Sequence, residues 1–445
     1  MNYTIEMHWT PSYYTSVMAS HSKLMNAISI RPLAESVFTE QAIGLVLWND
    51  IISHIDIPSS NCSHMDGFVV KYNDIKEISQ RGSIKLRVVP RRKDGKWKNQ
   101  ILLTGQTIRV STGEVLPRFG DTVIPVENTH FESKNSTVII QREFAKGSFV
   151  SYKGSEIARS HLLLNKGHIL RAQDLALISM LGIRKIKIFK KPRVAIIPTG
   201  NELTEEIADI KHGKILNTNS RVISKLIEAS GGTPLDLGIT HDNIYKIKNK
   251  IRVALSECDI ILTTGGSSVG LRDLVAESIN DIGKPGILVH GVKLDRGRVT
   301  GLAALRSRPV IILPGPIQGA VNAFIVFAQP LMRLMLGLQP FIKPLISAKL
   351  TEDWNAREKY QYFTKIVYVK LSRSASGDFH AKPITGETTD ITVLTGANGY
   401  ILVPERLTML KRGQKVEINI VPGLSFSSGN LIEFHYQLER SLLPF

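Results

Sequence analysis

The sequence predicts a multidomain α/β plus β protein, and three observations carry that expectation. Strand-like and helix-like segments alternate between about 191 and 338, the signature of βαβ units. Short apolar alternations separated by turn residues fill 67–140, and the same pattern returns from 340 onward. At 445 residues the chain is also too long for one small domain. The expected architecture is a central α/β domain with a mostly parallel sheet, a β insert domain, a helical part formed from two segments, and a C-terminal β-barrel-like domain.

Taken in order, Ser22 to about Ile57 places Leu33, Val37, Ala42, Leu45, Leu47 and Ile51 at helical spacing, so 1–57 is expected to be an N-terminal helical segment. It ends in the loop chemistry of IPSSNCSHMDG. The runs GFVVKY, SIKLRVV, TIRVST, DTVIPVE and STVIIQ predict a β insert over 58–150. Residues 151–190, helix-like around Gln173 to Met180, are expected to pack with 1–57, because neither piece can bury its face alone. RVAIIP opens the α/β domain at 193, and the long apolar stretch Ile317 to Leu338 closes it as a buried helix. Over 339–445, YFTKIVYVKL, YILVP, KVEINI and LIEFHYQL read as strands.

Composition excludes several classes. Hydrophobic residues at 43% and charged residues at 21% exclude a largely disordered chain. The start, MNYTIEMHWTPSYY, is not a secretory signal, and the chain is expected to begin as the mature protein. Gln318, Asn322, Gln329 and Arg333 make the apolar stretch too costly for lipid, so no membrane is expected. Cys62 and Cys258 support neither a disulfide framework nor a cysteine metal site, which points to a reducing cytoplasm. A net charge of +17 predicts attraction to polyanions without choosing among them. The basic run Arg81 to Gln100 reads as a solvated hairpin; with Trp97 alone to stack, nucleic acid is not the expected partner.

Candidate chemistry gathers where a parallel sheet places ligands, beyond the carboxyl ends of its strands. TTGGSSVG resembles a phosphate loop, in which glycines admit an anion close to the backbone N–H groups; the alternative is a plain strand-to-helix turn. It fits neither common nucleotide fingerprint. Glu202, Asp242 and Asp273 each follow a different strand. Together they could hold a hard cation such as Mg²⁺, or each could cap a helix.

Nine segments make the chain resemble the molybdopterin molybdenumtransferase family, which includes the gephyrin E domain. They are SHMDGFVV (63–70), TIRVSTGEVLPRFGDTVIPVEN (107–128), KGSEI (153–157), PRVAIIPTGNEL (192–203), NTNS (217–220), GITHDN (238–243), TTGGSSVGLRD (263–273), LPG (313–315) and GANGYILVP (396–404). The resemblance implies an elongated homodimer whose α/β domain, 191–338, binds molybdopterin. The implied reaction inserts molybdate, or the nearly isosteric tungstate, into adenylylated molybdopterin with Mg²⁺ and releases AMP. A molybdopterin adenylyltransferase is then an expected partner.

By the same resemblance, Asp66, Glu202, Asp242 and Asp273 are the expected catalytic residues, the last three also metal ligands. Asp66 is expected to face the α/β site of the other subunit. Expected substrate-binding residues are Thr112, Glu156, where the family usually has Asp, Thr199, Gly200, Asn219, Gly265, Gly266, Ser267, Ser268, Pro314, Gly315, and Thr388 in place of a family serine. The chain departs from the family where Lys-Pro-Gly-Lys-Pro is replaced by Leu294–Val299. Lys293, Arg296 and Arg298 are expected to supply the charge there. It departs again after Pro314-Gly315, where Pro316-Ile317 replaces Asn-Pro. These changes motivate an alternative, a non-catalytic molybdopterin-binding carrier or scaffold.

Overall fold

The computed structural model describes residues 13–90, 100–265, 273–342, 346–374, 376–387 and 389–421. They form two compact units, one from Ser36–Lys187 and one from the residues before and after that stretch.

The second of these units is built on a six-stranded sheet. Its strands are β1 (Arg193–Pro198), β2 (Thr233–Asp236), β3 (Ile260–Thr264), β4 (Pro285–His290), β5 (Gly301–Leu305) and β6 (Arg308–Leu313), in the order β2-β1-β3-β6-β5-β4. The first four in that order run parallel. Their residues are apolar almost without interruption because both faces are covered. Val194, Ile196, Leu262 and Ile311 face one core with Ile223 and Ile227 of α1 (Asn219–Ala229) and with Phe324 and Phe327. Ala195, Ile197, Ile261 and Val310 face the other with Ile247 and Ile251 of α2 (Ile244–Glu257) and Val275 and Ile279 of α3 (Leu274–Ile282). The stretch expected to be a buried helix forms α4 (Ile317–Ala323), a π-helical turn over Phe324–Ala328, and α5 (Gln329–Met335), nearly all buried.

The edge of the sheet departs from the simplest βαβ reading. ILVH of the run ILVHGV falls in β4, which pairs antiparallel with β5, and β5 pairs antiparallel with β6. The two-residue link Arg306–Ser307 permits nothing else, since a parallel return needs a long crossover. GLAAL, with two alanines and a glycine, carries little strand signal of its own.

Residues 22–57 are not a helical run. Val17–Ala27 is a helix, with Leu24 buried in the core beside the central sheet. Thereafter the chain forms strand Ala34–Phe38, a single 3₁₀ turn at Thr39–Gln41 and strand Ile51–Ile52. The spacing misled because Pro32 breaks the pattern and Gly44, at φ +77°, turns the chain. The first helix therefore belongs to the α/β unit, while 36–57 belongs to the other, so 1–57 does not pair as one helical piece with 151–190.

C-terminal to α5 lies a closed five-stranded barrel, as expected: Ile346–Leu350, Phe379–Pro383, Lys365–Arg373, Gly399–Val403 and Lys415–Ile420 in barrel order. Val367, Val369, Ile401 and Ile418 fill it. LIEFHYQL lies outside the described residues, as does the 91–99 part of the basic run.

The Ser36–Lys187 unit carries a six-stranded sheet in the order Thr122–Pro125, Gly67–Val70, Gln106–Val110, Ile84–Val88, Thr137–Ile140, Thr129–Glu132. Phe68, Val70, Ile124 and Val138 bury one of its faces. The helix expected near Gln173–Met180 forms as Ala172–Met180.

Candidate functional site

The carboxyl ends of β1, β2 and β3 converge through backbone contacts. Thr199 N–H donates to the Thr264 carbonyl at 2.8 Å, Gly200 N–H to the Thr240 carbonyl at 3.1 Å, and Thr240 N–H to the Pro198 carbonyl at 2.8 Å. Two glycines make this proximity possible. Gly265 sits at φ +81° with its α-carbon against the Thr199 carbonyl, where a Cβ would collide with the oxygen. Gly200, at φ +151°, lies beneath the Glu202 carboxylate, which occupies the space a Cβ would need.

Asn201 and Asp242 then lock two of these loops together. Asn201 N–H donates to Asp242 Oδ2 at 3.2 Å, and Asp242 N–H donates to Asn201 Oδ1 at 3.0 Å. Lys214 Nζ donates to the Asn201 carbonyl at 2.6 Å. On the far side of the edge, Asn219 Nδ2 donates to the Gly315 carbonyl at 2.7 Å, joining the start of α1 to the turn after β6. Thus Thr199, Gly200, Glu202, Asp242 and Gly265 come together, and Asn219 meets Gly315. The Thr199 hydroxyl is buried and donates to Ile197 of its own strand at 3.3 Å, leaving that residue's backbone as its contribution to the edge.

Asp273 has a different setting. Its Oδ1 accepts the Ala276 N–H at 2.9 Å as the N-cap of α3, and its Oδ2 meets His290 Nε2 at 2.9 Å. Both oxygens are engaged, and only 12% of the side chain is exposed. Among the described residues no three His, Cys, Asp or Glu side chains gather closely enough to hold a metal ion. The expected ligand set Glu202, Asp242 and Asp273 is therefore not assembled in this geometry. Two hard oxygen donors remain at the edge, and the Glu202 carboxylate has no hydrogen-bond partner among the described residues. Gly266, Ser267, Ser268 and Thr388 lie outside the described residues.

The loop between β4 and β5 changes the expectation for its cations. Arg296, at φ +54°, donates to Gln318 Oε1 at 2.8 Å and to the Gly386 carbonyl. Arg298 stacks on the Tyr360 ring, 5.5 Å from its centroid, and bonds the Tyr360 hydroxyl. Asp295 pairs with Arg357. Two of the three expected anion-binding cations are thus engaged within the protein, and the Lys293 ammonium is the one of the three with no partner among the described residues. Asn322, fully buried, donates to the carbonyls of Asp295 and Arg296 and accepts from the Tyr368 hydroxyl at 2.9 Å.

In the other unit, Asp66 ends the bend at His64–Asp66 that leads into strand Gly67–Val70. Its Oδ1 accepts from both the N–H and the hydroxyl of Thr112, at 2.6 and 2.9 Å. Those donors, the backbone N–H foremost, hold the Asp66 carboxyl below the usual carboxylate range. Gly67 lies against the Ile124 carbonyl, so close that no side chain fits, which sets where Asp66 emerges from the sheet. Glu156 is exposed, and its N–H donates to the Ile57 carbonyl at 3.1 Å.

Sequence spacing assigns no site role to Asn201 or His290, and marks Asn322 only as a polar break in an apolar stretch. Asn201 lies within TGNEL beside Glu202, where a short amide in a strand-end turn is itself a signal. His290 ends a strand whose antiparallel pairing was not anticipated, and Asn322 is hidden within an apolar helix.

Comparison with known proteins agrees with this architecture. The chain matches the model of the MoeA N-terminal region (domain I and II) over residues 15–182, that of a probable molybdopterin binding domain over 195–334, and that of the MoeA C-terminal region (domain IV) over 347–421. It is 29% identical over 387 residues to a molybdopterin molybdenumtransferase of Staphylococcus epidermidis, covering 87% of this chain and 91% of the relative. A Staphylococcus aureus protein of the same name is 27% identical over 399 residues, with 89% and 93% covered. Two structures of a molybdopterin biosynthesis MoeA protein from Pyrococcus horikoshii superpose with TM-scores of 0.79 and 0.74, at 28% and 27% identity, over 92% of this chain and 100% of each of those. No described helix is long and apolar enough to cross a membrane. With all three regions matched in order and the fold shared, the chain belongs to the molybdopterin molybdenumtransferase family, with a role in molybdenum cofactor biosynthesis.

Proposed function

We propose that this chain transfers molybdate, or tungstate, into adenylylated molybdopterin and releases AMP. The supporting observation is the strand-end edge, where Gly200 and Gly265 let the ends of the strands close on one another and Asn201 and Asp242 hold two loops in fixed register. Held loops supply positioning, the main contribution a protein makes to such a transfer. Glu202 and Asp242 would serve as oxygen donors to a cation that offsets the negative charge developing as AMP leaves, and Lys293 offers a cation with no partner among the described residues. Magnesium belongs to this proposal as an ion accompanying the substrate's phosphates, with Glu202 and Asp242 as oxygen donors and Asp273 retained as cap.

The proposal also keeps a homodimer in which Asp66 and Thr112 serve the α/β edge of a second copy, a molybdopterin adenylyltransferase as supplier, and a cytoplasmic setting. A second reading, that of a molybdopterin carrier, is favoured by one specific feature: Arg296 and Arg298 are engaged internally. Mixing the purified protein with adenylylated molybdopterin, Mg²⁺ and either oxyanion decides between them. Release of AMP with metal-loaded pterin supports the transferase, and tight pterin retention without AMP establishes the carrier. Under the transferase reading, Asp242→Asn and Glu202→Gln each slow AMP release by about a hundredfold or more; wild-type rates in both would refute the assigned roles.

A further inference from the structure

A cleft of about 590 Å³ opens at the opposite edge of the central sheet from the strand ends described above. Arg193 begins β1, Cys258 and Asp259 immediately precede β3, and Arg308 and Pro309 begin β6, so the cleft lies at the amino ends of three parallel strands. One strand length, roughly 17 Å at about 3.3 Å per residue, separates the two edges. This cleft cannot be a lobe of the strand-end site.

Its walls are strongly basic. Arg31, Lys190, Lys191, Arg193, Arg306 and Arg308 line it, against the two acids Glu257 and Asp259. Several of these charges are already engaged. Arg308 donates to the carbonyls of Leu255 and Cys258, while Arg193 pairs with Glu257 at 3.2 Å and its N–H donates to Asp259 Oδ2 at 2.8 Å. Arg31 Nε reaches only Ser29 Oγ, at 3.3 Å. Lys190, Lys191 and Arg306 are left with no side-chain partner among the described residues. The Arg193 guanidinium offsets Glu257, while Asp259 is hydrogen-bonded only by a backbone N–H and keeps its charge; Arg31, Lys190, Lys191 and Arg306 still outnumber it, so the cleft carries a net positive charge.

The backbone supports the same conclusion independently. Arg306 and Ser307 form the two-residue turn between β5 and β6, both in the left-handed region at φ +51° and +62°. Such a turn ordinarily holds Asn-Gly or Asp-Gly, because other residues are strained there. Here it presents a guanidinium and a hydroxyl at the mouth of the cleft. The Ser307 carbonyl in turn accepts the Ser29 N–H at 2.9 Å, fixing the Ser29–Leu33 wall against the turn.

We infer that this cleft is a second anion-binding site, taking a small phosphorylated molecule that carries two or more negative charges. The size suits a small-molecule ligand, within the usual range of about 300–1,000 Å³. Pro32, Leu33 and Met335 supply an apolar wall for the rest of such a ligand. Lysine and arginine without partners supply the phosphate contacts. The inference stands apart from the transferase proposal, since no residue of the strand-end edge enters it.

The test is calorimetric titration of the full-length protein with inorganic pyrophosphate at low and physiological ionic strength. Wild type and a Lys190→Gln/Lys191→Gln/Arg306→Gln variant are compared, together with a control, Lys85→Gln/Lys134→Gln/Arg142→Gln, that removes the same charge elsewhere. The expected result is loss of one binding event, or at least a tenfold weakening, in the cleft variant and none in the control. Arg31→Gln/Lys191→Gln, which leaves the turn intact, shows the same direction. Unchanged pyrophosphate binding in both cleft variants, or equal losses in cleft and control variants, would overturn the site. Tighter binding of polyglutamate or single-stranded DNA than of pyrophosphate to the same residues would overturn the small-molecule assignment.

Discussion

Replacing Tyr368 with phenylalanine removes one oxygen from the core and little else, which makes it a sensitive test of how the barrel is joined to the α/β layer. The Tyr368 hydroxyl donates to Asn322 Oδ1 at 2.9 Å, with Tyr368 only 1% exposed and Asn322 fully buried. Asn322 Nδ2 makes longer bonds, 3.3 and 3.4 Å, to the Arg296 and Asp295 carbonyls. In Tyr368→Phe the amide oxygen loses its donor where water cannot substitute, a loss of about 1–3 kcal/mol. Asn322→Ala removes three bonds and leaves a cavity, so its cost is larger. Because both changes break the same bond, the double variant should cost about 1 kcal/mol less than the sum of the singles. Burial holds the Tyr368 hydroxyl far above the usual phenol range, so it remains a donor across the whole assay range and the effect is independent of pH. Thermal and denaturant unfolding of the four proteins supplies the cycle. A Tyr368→Phe protein within about 0.3 kcal/mol of wild type, or strict additivity, would refute the reasoning.

Other expectations follow from the same geometry. Asp273→Ala loses the α3 cap and should cost about 1 kcal/mol, whereas Asp273→Asn keeps a capping oxygen and most of the stability; equal unfolding midpoints for Ala and wild type would contradict the capping role. Gly265→Ala forces a Cβ onto the Thr199 carbonyl from a left-handed backbone, so pterin retention should fall about a hundredfold, read by equilibrium binding. Thr112→Val removes the hydroxyl that bonds Asp66, so the Asp66 carboxyl should titrate closer to an ordinary carboxylate in a carbon-detected NMR titration; no upward movement would contradict the assignment. Asp174, 4% exposed, is held well below the usual range by Arg171 foremost and also by His168, against the opposing effect of burial. A depressed carboxyl stabilises above its unfolded value of about 3.9 and loses that contribution as pH falls through the native value. Asp174→Asn should therefore flatten the acid limb of the stability–pH profile, and an unchanged limb would tell against it.

The α/β layer was legible because burial on both faces demands runs such as RVAIIP and DIILTT, and because β1, β2 and β3 end in turns rich in glycine, threonine and acids. Local chemistry alone places Thr199, Gly200, Glu202, Asp242 and Gly265 at strand ends, and parallel pairing makes those ends one edge. Sequence spacing could not show that Asp273 is committed to a helix cap and to His290, since His290 arrives on an antiparallel strand 17 positions later. Nor could it show that Arg296 and Arg298 are engaged by Gln318, Gly386 and Tyr360. Periodicity records which face of an element is apolar, and turn residues record where elements end. The partner a charged side chain finds is set by contacts between segments far apart in the chain, and only the folded arrangement decides which charges remain for a ligand.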